Sequence, residues 1–257
     1  MKTGIWMFLF VLSFSASAQI GNDSLENPFK FINKANQLLR SNLDSAYGFA
    51  ERALELALLS ENKKAEAHCF NTFGSIHFEL SKYALATTNF KKALDGFDVL
   101  DDDLGRYISL KYLATSYDAS LNYDKAIDAY TIFSEKAKSK NEQADFKLAQ
   151  EALGRLYYNS GNYDKALELF ELQKVEAKQA GNEVRLAAIY NQIGKIYDLK
   201  NDSVSAFENY EQGLTKGISS ANNDAVQGYY NNVNSFFSSR GNVSKQLDVN
   251  EQAIDYY

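Results

Sequence analysis

The sequence predicts an all-α fold, a linear array of stacked helix pairs, and three observations predict it. Proline occurs once in 257 residues, at Pro28, and glycine only 14 times, so rigid turns and helix breakers are scarce. Apolar and small residues fall at i, i+3, i+4 and i+7, as in Tyr190, Ile193, Gly194 and Tyr197, which places them on one helical face. A pattern of small and aromatic residues also recurs every 40 positions without slipping. Composition agrees: 45% hydrophobic and 23% charged describes a globular chain and excludes disordered or collagen-like ones. A formal charge of −6 argues against a nucleic-acid binder driven by phosphate contacts.

Residues 1–18 read as a secretory signal. Lys2 supplies the positive start, Ile5 to Leu12 an apolar run, and Ala16-Ser17-Ala18 a small-x-small cleavage site. The run is shorter than the roughly 20 residues that span a bilayer, so cleavage after Ala18 is expected, with export to the periplasm or medium and no membrane span in the mature segment. Export permits disulfides, yet Cys69 has no partner cysteine. Stability must come from packing.

After a lead-in at 19–26, the repeat fills the rest of the chain. The clearest copy is Leu153-Gly154, Tyr157, Gly161, Tyr163, Ala166 and Phe170, and shifts of 40 find it again at Phe73-Gly74, Leu113-Ala114 and Ile193-Gly194. Six units follow, at 27–66, 67–106, 107–146, 147–186, 187–226 and an incomplete 227–257. In each, a first helix carries the small residue and an aromatic. A short polar turn such as Ser160-Gly161-Asn162 follows. The second helix then sets an alanine (Ala46, Ala86, Ala126, Ala166, Ala206) four residues before an aromatic in most units. The small residues let paired helices approach, and the aromatics Phe90, Tyr130, Phe170 and Tyr210 fill the space between neighbouring units. Both end units are degenerate, with Lys34 in the small position of the first and Asn234, Gln246 and Asn250 in the last, as capping repeats are.

This pattern resembles the tetratricopeptide repeat family over 27–257, with two departures: a period of 40 against the family's 34, and no proline closing each unit. The extra residues imply longer helices. The resemblance implies a right-handed α-solenoid, a protein–protein interaction role without an enzyme activity, and a concave groove lined by the first helices.

Carried over by register, the groove candidates form three rows. The first is Asn71, Lys111, Glu151, Asn191 and Asn231. The second is Ser75, Thr115, Arg155, Lys195 and Ser235, and the third Phe78, Asp118, Tyr158 and Asp198. Asparagines can donate to and accept from an extended peptide backbone, while Lys111, Arg155 and Lys195 can hold a carboxylate. Glu151, Asp118 and Asp198 interrupt that positive patch, and a solvated helix face explains the same rows.

Chemistry beyond binding finds little support. His68, Cys69 and His77 have no spacing that completes a metal site, and His77 stands in an aromatic column with Tyr117, Tyr157 and Tyr197. No nucleophile elbow, P-loop, zinc-protease or dinucleotide motif is present, so no cofactor is expected. The expected partner is a protein or peptide. The runner-up reading, which the early end of the last unit suits, is the input region of a larger membrane-anchored signalling protein, a histidine kinase or transcription regulator.

Overall fold

The computed structural model describes residues 26–256; the signal segment lies outside them. Twelve helices make up the described chain: α1 Pro28–Leu38, α2 Leu43–Leu59, α3 Lys63–Glu79, α4 Tyr83–Val99, α5 Asp103–Ala119, α6 Tyr123–Ser139, α7 Gln143–Asn159, α8 Tyr163–Gln179, α9 Glu183–Leu199, α10 Ser203–Ser219, α11 Asn223–Ser239 and α12 Val243–Tyr256. Each packs against its neighbours in sequence, which makes an α-solenoid.

From α2 to α11 every helix has 17 residues, and three-residue joints follow. The 40-residue period is thus two equal halves of 20, and in the four pairs from α3–α4 to α9–α10 both helices are equally long. The odd-numbered helices begin at Lys63, Asp103, Gln143, Glu183 and Asn223, so cuts at 67, 107, 147, 187 and 227 fall in their first turns.

The joints explain how helices stop without proline. At α2–α3 the Glu61 N–H donates to the Leu58 carbonyl (3.2 Å) and the Asn62 N–H to the Ala57 carbonyl (2.8 Å), the two bonds of a Schellman stop. The Asn62 side chain then accepts the Ala65 N–H at 2.9 Å, capping α3. One residue ends a helix and starts the next, so three suffice. The middle residue must turn left-handed, and ten joints show it: Gly161, Gly181 and Gly241, but also Glu61, Ser81, Asp101, Leu121, Asn141, Asn201 and Ala221. α1 differs. Asn27 caps it through the Phe29 N–H, and Pro28 occupies its first turn, where no N–H is missed.

The core follows the small-and-large pattern. Ala46, Ala86, Ala126, Ala166 and Ala206 are completely buried. A Cβ on Gly74 would lie 2.5 Å from the Phe90 ring, and one on Gly194 2.6 Å from Tyr210, so each aromatic fills the notch its own pair leaves. The same rings reach the next unit. Phe90 stacks on Tyr112 (5.2 Å, 16° between planes) and Tyr210 meets Phe236 edge-on. No helix among the described residues is long and apolar enough to cross a membrane.

Candidate functional site

The odd-numbered helices line the inner side of the array. α1 approaches α3, α3 approaches α5 and α9 approaches α11, while no even-numbered pair comes comparably close. Around α7 the inner row opens, because no comparable approach links α5 to α7 or α7 to α9.

The first candidate row shows what bridges each step. Asn71 is buried, and the Ser109 hydroxyl on α5 donates to its Oδ1 at 3.0 Å. Asn191 is buried too, and its amide donates to the Ala225 carbonyl of α11 at 3.2 Å. These two side chains lock adjacent helices together and do not reach the groove, contrary to what their register alone suggests. Lys111 and Glu151 stand at the open steps and span them with longer reach. The Lys111 Nζ meets Asp145 at 2.6 Å, and Glu151 meets the Arg185 guanidinium at 2.7 Å. Asn231 is exposed and accepts from Gln227.

In the second row, Arg155 grips Asp118 of the third row with both guanidinium nitrogens, 3.0 Å for Nη1 to Oδ1. That bond and the Asp118 charge hold the arginine above its ordinary pKa, against the opposing effect of burial. Thr115 donates to the Lys111 carbonyl, and Ser75 to that of Asn71. Ser235 is exposed. Lys195 is half-buried and forms no ion pair among the described residues. Phe78 meets Tyr83 edge-on at 5.4 Å and Tyr158 faces Tyr163 at 6.1 Å. Asp198 is held by Arg240 at 2.8 Å. Asp145 shows the balance at such a bridge: burial pushes its carboxyl up, but the hydrogen bonds from Lys111 and Tyr107 outweigh it and leave the pKa low.

Two depressions lie on this face. The central one, about 610 Å³, runs over α7 between α5 and α9 and is lined by Thr115, Asp118, Glu151 and Arg155 among the candidates. The N-terminal one, about 360 Å³, is lined by Ser75, Phe78, Lys111 and again Thr115, which lines both. Asn71, Tyr158, Asn191, Lys195, Asp198 and Asn231 line neither.

The structure adds residues that the three rows miss. Leu148, Ala152, Ala188 and Gln192 line the central groove, and Tyr112 lines the N-terminal one. They sit one residue after or three before the Asn71 register, on the same helical face, and a wider stripe would have found them. Phe170 and Tyr130 from the even-numbered helices form its floor with Gln173. The side chains at the end of α1 and the turn after it that reach the N-terminal groove, Asn36, Gln37, Leu39 and Arg40, had no repeat partner to reveal them.

Solved structures share this architecture. The apo form of RapI superposes with a TM-score of 0.63 at 13% identity, covering 89% of this chain and 96% of that one. A STAND signal-transduction ATPase from Pyrococcus horikoshii with a tetratricopeptide repeat sensor gives 0.69 at 16%, covering 89% and 36%. NprR in complex with its cognate peptide NprX gives 0.57 at 14%, covering 89% and 66%. The fold is tetratricopeptide-like. No protein-family model and no curated protein matches the sequence.

Within this tetratricopeptide-like array the histidines and cysteine are packing groups. His68 is wedged edge-on between Phe29 and Phe97 at 5.5 and 4.8 Å, and burial holds its pKa below the ordinary value. Burial likewise lowers His77, beside Tyr47 and Asn89. The Cys69 thiol is fully buried and pushed up to about 12 by burial and then by the Glu66 charge, which keeps it unreactive at neutral pH. Among the described residues no cluster of three His, Cys, Asp or Glu side chains could hold a metal ion.

Proposed function

We propose that this chain, cleaved near Ala18 and exported, is a non-enzymatic scaffold that holds a peptide segment of a partner along its concave face. The observation that carries this reading is the pair of depressions that share Thr115 in their lining, floored by Phe170, Tyr130 and Phe90. Such a floor takes apolar side chains, and the wall amides Gln192 and Gln37 can pair with an extended backbone. NprR, solved with its cognate peptide, lends the same reading support.

The test is calorimetric titration of residues 19–257 and of Ala188→Trp with peptides selected on the wild type. Ala188 is exposed on the central groove, so the indole fills the groove without entering the core. Binding should fall at least tenfold. Unchanged binding would overturn the assignment to this face. N-terminal sequencing of the protein recovered from outside the cytoplasm checks export: Gln19 should come first, and a retained Met1 would contradict it.

A second reading treats the array as the input module of a larger signalling protein. The STAND ATPase favours it, because a tetratricopeptide sensor there belongs to a chain of which the matched part is 36%. Sequencing the coding DNA beyond Tyr257 decides it: an in-frame membrane span with a kinase or helix-turn-helix module supports the sensor, and an immediate stop codon removes it.

A further inference from the structure

The charges of the central depression are already spent on one another. Arg155 is clamped by Asp118, and Arg185 meets Glu151 at 2.7 Å and lies 3.9 Å from Glu176. Lys111, on the rim of the N-terminal depression, is engaged by Asp145. The central depression therefore carries two arginines and two carboxylates and no net charge. An acidic ligand would have to strip a carboxylate from each cation before gaining a new one, so it gains only the difference. The chain's charge of −6 opposes its approach as well.

What the central depression leaves unsatisfied is apolar surface and amide, and on the N-terminal one the exposed Arg40 and Glu79 offer opposite charges on one rim. Leu148 and Tyr112 are exposed, at 40% and 42%, in a face otherwise bridged by ion pairs. They stand on α7 and α5, one in each depression, with Thr115 lining both. Gln192 makes no hydrogen bond to the described residues and stands beside Ala188 on the groove wall.

We propose, building on the peptide-scaffold reading above, that the ligand is an uncharged extended segment read by two apolar anchors. An aromatic side chain enters between Phe78 and Tyr112, and a smaller aliphatic one lies over Ala152 and Leu148. Gln192 bonds the backbone between or beyond them. Recognition by a free C-terminal carboxylate plays no part: the two central arginines and Lys111 are engaged, and Arg40, which forms no ion pair among the described residues, shares the N-terminal rim with Glu79.

The experiment uses residues 19–257, a random dodecapeptide display library, and calorimetry on the selected peptides with free and amidated C-termini at about 0.05 and 0.5 M salt, where the Debye length shrinks from about 14 to about 4 Å. Selected peptides should share an aromatic and a small aliphatic position, and affinity should change less than about twofold with salt or amidation. Tyr112→Ala and Ala188→Trp, both at exposed positions and checked for helix content by circular dichroism, should each lower affinity at least tenfold. The double variant Asp164→Asn/Lys200→Gln, at an exposed ion pair outside both depressions, should bind within about threefold of wild type. An acidic consensus, or affinity falling tenfold with salt or amidation, would overturn this inference and leave the scaffold reading intact. A selection that yields no groove-dependent peptide overturns both.

Discussion

The pairs α3–α4 and α9–α10 differ from the pairs between them, α5–α6 and α7–α8, although all four share one register. At the outer pairs both register positions are small: Gly74 and Ala93, and Gly194 and Gly213. At the inner pairs they are Ala114 with Phe133, and Gly154 with Gln173. A Cβ would lie 2.5–2.6 Å from an aromatic ring at Gly74 or Gly194, but 3.2 Å from one at Gly154. The inner row of helices is closed at the outer pairs, where buried asparagines bridge it. It opens around α7, where ion pairs bridge it and the central groove lies. Repetition fixes the architecture, and a few side-chain volumes decide where it gapes.

The largest test of that contrast is a pair of glycine variants. Gly194→Ala drives a methyl into the buried Tyr210 ring and should cost about 1–3 kcal/mol. Gly154→Ala meets Phe170 and Gln173 at 3.2 Å, and the gain of about 1 kcal/mol in helix propensity offsets most of the strain. Urea midpoints at unchanged slope measure both; equal midpoints would erase the distinction. Next comes the bridging row. Asn191→Ala should cost about 1–2 kcal/mol by removing a buried amide from the α9–α11 step, whereas Glu151→Ala, at a half-exposed ion pair, should change stability by less than about 0.5 kcal/mol.

The joints should not distinguish the regions at all. Ser81 follows α3 and Leu121 follows α5, both left-handed at φ 56° and 57°. Glycine at either should stabilise by about 0.5–1 kcal/mol, since it removes the Cβ clash and loses part of the gain to unfolded-state entropy. Thermal melts of the two variants should shift upward together, and a shift at only one would show that the joints differ. The smallest effect is a pH slope confined to the N-terminal side. Both histidines stand on α3 with pKa values lowered by burial, so the unfolded chain takes up protons more readily than the folded one. Stability should rise with pH and level off above about 6.5. In melts from pH 5 to 8, His68→Phe should flatten the slope and melt higher than wild type at pH 5; an unaltered slope would assign it elsewhere.

Much of this was legible in the residues. The 40-residue register marked Gly74, Gly194, Phe90 and Tyr210 as packed small and large groups and the rings as filling the space between units, which they do against Tyr112 and Phe236. That each ring also fills the glycine notch of its own pair came from the structure. Seven groove candidates, Ser75, Phe78, Lys111, Thr115, Asp118, Glu151 and Arg155, do line the depressions. The joints were harder to read. Leu121 and Ala221 give no turn signal of their own, and only the repeated Schellman bonds show why they turn left-handed.

The sequence by itself determined the helices, their pairing and their period, since amphipathic spacing and caps act within 20 residues. Tertiary structure alone decided which members of a row face the groove. Asn71 and Glu151 occupy one register position, yet the first is buried against α5 and the second exposed beside α9. The cause is the spacing between units, which depends on side chains such as Phe133 and Gln173 on other helices. That spacing is a sum of packing volumes across the array.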